Sequence, residues 1–192
     1  MKMNMRLMAI ALAAAAALAA PAGSQAQAPA EGGQKMLVAY FSHTGNTRAI
    51  AQYIKDATGA DIFEIVPANP YPAGYGDVLA RGRQELKDNI MPELKPEVPD
   101  LAPYDVIFVG SPNWFNTIPP PVMTFLTSRD FTGKTIVPFI THGSGGIGKS
   151  VQDVKRLAPG ATLLDGQAFL GKSVQDARED VLAWLRRIKL AE

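Results

Sequence analysis

Met36-Leu37-Val38-Ala39-Tyr40-Phe41-Ser42-His43-Thr44-Gly45-Asn46-Thr47 leads from an apolar run into a polar loop, and this junction decides the fold. An uninterrupted apolar run of this length suits a strand buried on both faces, as in a parallel sheet. From Thr47 to Thr58 the apolar residues Ile50, Ala51 and Ile54 recur at the spacing of one helix face. A strand that feeds a helix through hydroxyl residues and a glycine offers unpaired backbone N–H groups, at the positive end of the helix dipole, to an anion. Ser42, Thr44 and Thr47 can add hydroxyl donors, Gly45 permits a tight turn and a close backbone approach, and Asn46 opens the helix. An ordinary N-cap at Asn46 or Thr47 is the plainer alternative. Three hydroxyls in six residues exceed what a cap needs, so the loop reads as a phosphate site.

The alternation continues downstream. Asp61 to Val66, Asp105 to Gly110, Thr135 to Ile140, and Thr162 to Leu164 with Phe169 read as further strands. Ile147 to Leu157, with Val151, Val154 and Leu157 on one face, reads as a helix, as does Val174 to Ile188 with Val181, Leu182, Leu185 and Ile188. Pro and Gly punctuate Pro67 to Pro103, where only Gly76 to Asn89 is helical in pattern, so this segment is expected to be a long crossover carrying one helix. Five strands with crossover helices predict an α/β chain built on a doubly wound parallel sheet.

Two more loops carry chemistry. Ser111-Pro112-Asn113-Trp114-Phe115-Asn116-Thr117 follows the third strand and runs through Ile118 into Pro119-Pro120-Pro121. Adjacent aromatics on a Pro-stiffened loop make a platform for a flat ring; the plainer alternative is that both tuck back onto the sheet. After the fourth strand, Thr141-His142-Gly143-Ser144-Gly145-Gly146-Ile147-Gly148-Lys149-Ser150 satisfies G-x-x-x-x-G-K-S/T from Gly143 and also G-x-G-x-x-G, with Asp165 ending the next strand. Against a triphosphate loop, Gly110 stands where a metal-binding Asp would be expected. Against a dinucleotide fingerprint, the run follows the fourth strand, and the first loop already suits phosphate.

Ser42 to Thr47 resembles the phosphate loop of flavodoxins, Ser/Thr-x-Thr-Gly-x-Thr, and strand spacing and loop positions resemble that family from Met36 to the final helix. The resemblance implies a five-stranded flavodoxin-like sheet of order 2-1-3-4-5 in three α/β/α layers, with FMN bound non-covalently where the loops after strands one, three and four meet. It implies phosphate contacts from Ser42, Thr44, Gly45, Asn46 and Thr47, and ring contacts from Pro112, Asn113, Trp114, Phe115 and Asn116. Thr141, His142, Gly143, Ser144 and Gly145 would form a backbone wall beside the ring, with the His142 side chain expected to face solvent. Phe115 falls where the family has its stacking aromatic and Asn116 where Gly is usual. In flavodoxins the peptide after that aromatic bonds the flavin N5 and flips through φ > 0, for which Asn is the next most permissive residue. The implied function is electron transfer through FMN, exchanged with a redox partner protein or a small-molecule donor or acceptor. The alternatives are an NAD(P)H-dependent FMN quinone reductase and a module that keeps the fold without flavin.

Upstream of the domain, Lys2 and Arg6 precede the apolar run Leu7 to Ala20, and small residues follow, which is the pattern of a secretory signal peptide. A membrane anchor needs about 20 apolar residues, and this run is shorter. With cleavage after Ala22 or Ala26, residues 1–26 are the expected signal peptide, 27–34 a flexible leader and 35–192 a domain exported to the periplasm without lasting membrane insertion. Loss of Lys2 and Arg6 takes Lys and Arg from 19 to 17 against 18 Asp and Glu, which leaves no electrostatic footprint for nucleic acid. The chain has no Cys, so disulfides and thiol chemistry are excluded. His43 and His142 lack a carboxylate at useful spacing, and neither a metal site nor a catalytic triad is expected.

Overall fold

Period-two alternation along buried strands sends successive side chains into two different cores. In the computed structural model, which describes residues 33–95 and 99–191, strand β1 (Met36–Tyr40) puts Leu37 and Ala39 into one core and Val38 and Tyr40 into the other. The expected signal peptide and most of the leader lie outside the described residues. Helix α1 (Asn46–Thr58) covers the second core with Ile50, Ala51 and Ile54. β2 (Asp61–Glu64) then pairs parallel to β1, Leu37 opposite Asp61. After α2 (Tyr75–Asp88) the chain returns as β3 (Val106–Pro112), parallel to β1 on its other side with Tyr40 opposite Gly110. Helix α3 (Pro120–Thr127) leads to β4 (Thr135–His142), which is parallel to β3 with Pro112 opposite Thr141. Helix α4 (Ser150–Leu157), β5 (Thr162–Leu163), β6 (Gln167–Leu170), a 3-10 turn (Gly171–Asp176) and α5 (Arg178–Arg187) complete the order.

The sheet order is β2-β1-β3-β4-β5, with β6 also pairing with β4. Residues from α2, α3 and α4 (Val78, Val122, Phe125, Val154) fill one core, and residues from α1 and α5 (Ile54, Val181, Trp184, Leu185) the other. This is the three-layer flavodoxin-like arrangement expected from the sequence.

The departures have local causes. The expected fifth strand is two short ones, β5 against Thr135–Ile136 and β6 against Phe139–His142, with the break beside Pro138. Proline offers no N–H to a ladder, and Gly166 passes so close that a Cβ there would meet the Pro138 carbonyl oxygen at 3.0 Å. α3 begins on Pro120 and Pro121, residues the sequence reading treats only as stiffeners, although proline at the first helical position is favourable. The last helix starts at Arg178 rather than Val174, and α4 at Ser150 rather than Ile147, just after Gly148 with its positive φ of 57°. β3 and β4 run two residues beyond their expected ends, so Pro112, Thr141 and His142 sit on strand ends. In the long crossover, Ala68 N–H to Glu93 O (2.8 Å) and Lys95 N–H to Val66 O (2.9 Å) close a short pairing around α2.

The central strands tolerate no side chain at Gly110, where a Cβ would come within 2.1 Å of the Phe139 ring. Gly110→Ala is expected to destabilise the fold by about 1–3 kcal/mol, the usual cost of overpacking. Phe139→Leu in the same chain should recover part of the loss. Urea unfolding of the three proteins measures both effects.

Candidate functional site

The loop between β1 and α1 is organised by Ser42. Its Oγ accepts the N–H groups of Gly45 (3.1 Å) and Arg48 (3.3 Å), so the cap comes from Ser42 and not from Asn46 or Thr47. Gly45 holds φ at 92°, left-handed backbone that favours glycine. Ala49 N–H goes to Gly45 O, which leaves the N–H groups of Asn46 and Thr47 without acceptors inside the helix. Arg48 turns to Glu64 at 2.6 Å. The Thr47 hydroxyl is buried and 2.9 Å from that of Thr141, tying α1 to β4.

Beyond β3 the chain makes a two-residue reversal. Trp114 and Thr117 exchange both backbone hydrogen bonds (2.9 and 3.1 Å), with Phe115 at φ 52° and Asn116 at φ 71° between them. Positive φ at both central residues is the I′ form of hairpin turn. Asn suits such a position, whereas a bulky residue there costs roughly 1–2 kcal/mol. Asn113 holds the turn: its Oδ1 accepts Asn116 N–H at 2.9 Å, its Nδ2 donates to Gly146 O at 2.9 Å, and its own N–H bonds Thr141 O at 2.7 Å.

The two aromatics part company. Trp114 is half-buried, edge-on to Phe41 (5.5 Å between ring centres) and Tyr71 (5.0 Å). It lies over Gly82 of α2, where a Cβ would approach its ring to 3.1 Å. Phe115 stands out at 39% exposure. The plainer alternative thus describes Trp114 and not Phe115.

These segments meet in one cavity of about 560 Å³ above the carboxyl ends of β1, β3 and β4. Of the expected residues, Thr44, Asn46, Pro112, Asn113, Trp114, Phe115, Thr141, His142 and Gly143 line it. Ser42, Gly45, Thr47, Asn116, Ser144 and Gly145 are not on its wall. Ser42, Gly45 and Asn116 act one step back, through the loop and turn bonds above. His142, expected to face solvent, is half-buried, and its buried Nδ1 has no hydrogen-bond partner. Among the described residues no carboxylate lines the cavity, and Lys172 brings a cation to it.

The Gly-rich run does not form a triphosphate cradle. Lys149 N–H is bonded to Asn116 O at 2.8 Å, and the Lys149 side chain lines a different cavity from Thr44 and Gly143. The Ser150 hydroxyl is buried. Among the described residues there is no group of His, Asp and Glu suited to hold a metal ion, and no helix is long and apolar enough to cross a membrane.

A family model described as Flavodoxin matches residues 35–188. The chain belongs to the flavodoxin family. Its fold is similar to candidate flavoproteins of Bacteroides uniformis (36% identity, TM-score 0.72, covering 81% of this chain and 99% of that one) and Bacteroides eggerthii (32%, 0.72, 81% and 98%). It shares its fold with a Lactobacillus acidophilus flavoprotein whose structure is a complex with FMN (24%, 0.60, 76% and 99%). Comparison with curated proteins gave no match.

Sequence reading missed Tyr75, Val78 and Leu79, which bring α2 over the cavity, and Gly171 and Lys172, which follow β6. The aromatic Tyr75 at the start of a predicted helix was the available signal. It also missed the brace behind Trp114. There the Tyr71 hydroxyl donates to buried Glu85, Arg81 Nε bonds the same carboxylate at 2.7 Å, and the Arg81 guanidinium lies 4.1 Å from the Tyr71 ring centre.

Burial, and then the hydrogen bond to Glu85, push the Tyr71 phenol far above its ordinary value, while Tyr40 and Tyr104 shift upward chiefly by burial. Once pH passes the unfolded tyrosine value of about 10, the unfolded chain releases phenolic protons that the fold retains, and stability falls. Urea midpoints should therefore decline above about pH 10, and Tyr71→Phe should make that decline shallower.

Proposed function

We propose that the cavity binds FMN and that the protein carries electrons through it, exchanging them with a redox partner protein or a small-molecule donor or acceptor. The observation that carries this reading is that an anion-ready helix start and an aromatic turn line one carboxylate-free cavity. The residues present fit the cofactor. The free N–H groups at the start of α1 and the Thr44 hydroxyl suit a phosphate tail, with Lys172 the charged group nearby. Trp114, Phe115, Val78 and Leu79 offer apolar surface to a ring, and the unpartnered Nδ1 of His142 is available to a polar edge.

Bound FMN supplies reversible one- and two-electron chemistry, and the protein supplies position and electrostatics. The left-handed backbone of Gly45 holds the turn that leads the loop into α1, so the loop that would hold the phosphate is preformed. Trp114 is fixed from behind by Phe41 and Tyr71, so the wall it offers is preformed. Asn113 fixes the N–H of the Phe115–Asn116 peptide, and Asn116 already occupies the positive φ that the family reaches with glycine.

Calorimetric titration with FMN and riboflavin tests this. FMN is expected to bind at least tenfold more tightly, since loss of the phosphate forfeits several charge-assisted hydrogen bonds. Phe115→Ala should weaken FMN by roughly 1–3 kcal/mol without lowering the thermal midpoint, whereas Trp114→Ala should lower both affinity and midpoint. Equal affinity for riboflavin and FMN would sink the assignment.

A further inference from the structure

A second cavity, of about 580 Å³, shares only Phe115 with the first. Its walls come from α2, from the turn at Phe115–Thr117 and from the start of α4. Three cations line it: Arg83 and Lys87, one turn apart on α2, and Lys149, the residue left over from the G-x-x-x-x-G-K-S match. Among the described residues none of the three forms an ion pair with a carboxylate. Asp153, the one carboxylate among the described residues of the lining, is already engaged by the Thr117 hydroxyl at 2.6 Å and by Arg156 at 3.0 Å. The guanidinium of Arg83 lies 5.2 Å from the centre of the exposed Phe115 ring.

Three like charges around one hollow repel each other and raise the local potential, and an anion entering the hollow relieves that repulsion. Leu86 and Phe115 add apolar surface, and Phe115 offers a ring face. The volume is that of an ordinary small-molecule pocket, and the lining is far smaller than the roughly 20–30 residues a side of a protein–protein interface. We propose that this groove binds a small anionic ring compound, its acidic group among Arg83, Lys87 and Lys149 and its ring against Phe115. A ligand so placed stands one aromatic side chain from the cavity assigned to FMN. In that respect alone the inference rests on the proposed function, giving it a class of small-molecule partner.

Naphthalene-2-sulfonate is a suitable probe, with 2-naphthol as its neutral counterpart, each titrated into the protein with and without FMN. The sulfonate should bind saturably and compatibly with FMN, and more weakly as salt rises through the Debye range. The variant carrying Arg83→Gln, Lys87→Gln and Lys149→Gln should bind it about tenfold or more weakly, while 2-naphthol and FMN affinities stay unchanged. These residues are exposed, and a circular dichroism spectrum equal to that of the parent shows that the variant is folded. Unaltered sulfonate binding in the variant, equal affinity for 2-naphthol, or displacement of the sulfonate by FMN would overturn the proposal. So would binding of a polyglutamate peptide through the same three residues with no binding of the sulfonate, which would assign the groove to an acidic protein. A chain that binds the sulfonate through the three cations but takes up no FMN would support the groove and count only against the flavin reading.

Discussion

Three parallel strands in register, ending at Tyr40, Pro112 and His142, set everything built above them. Because each strand leaves the sheet on the same edge, its following loop is delivered to the same place, and the cavity forms from segments far apart in sequence. Asn113 then locks two of those loops together. Its backbone is bonded to Thr141, its amide nitrogen to Gly146 and its amide oxygen to Asn116, so the β3 turn and the β4 loop move as one piece. A Cβ at Gly148 would lie 2.6 Å from Asn116 Oδ1 and 3.1 Å from Asn113 Nδ2, which shows how closely the loops are fitted.

The aromatic pair shows a division of labour set by packing. Trp114 sits on α2 because Gly82 leaves room for it and because Tyr71, held by Glu85 and Arg81, closes the far side. Phe115 is carried outward by left-handed backbone that a bulky residue adopts at a cost, and that cost is met by the bonds made by Trp114, Thr117 and Asn113. The exposed ring is thereby placed as a partition between two cavities of different character, one without acids and lined by a helix start, the other cationic.

Much of this was legible in the sequence because the strands are buried on both faces and announce themselves as apolar runs, and because the loop after the first strand carries its hydroxyls and glycine within six residues. The alternation of strands and helices then pointed to a doubly wound sheet, and the resemblance to flavodoxins supplied its strand order. What was not legible depended on contacts between distant segments. The break between β5 and β6 arises where the chain passes Pro138, on another strand. The contribution of α2 to the cavity depends on how Gly82 meets Trp114. Lys149 N–H is bonded to Asn116 O, a contact between two loops that the local string G-x-x-x-x-G-K-S does not reveal. Thr47 and Thr141 both look like free hydroxyl donors as text, yet they are buried against each other.

Binding of FMN in one cavity, walled by the loops after β1, β3 and β4, can be followed in backbone amide spectra of the 15N-labelled protein recorded as FMN is added. The largest shifts should fall at Thr44–Thr47, Trp114–Asn116 and His142–Gly143, with the amides of the groove between β6 and α5 unmoved. Shifts centred on Gln167–Leu170 and Trp184, or no saturable shifts at all, would contradict it.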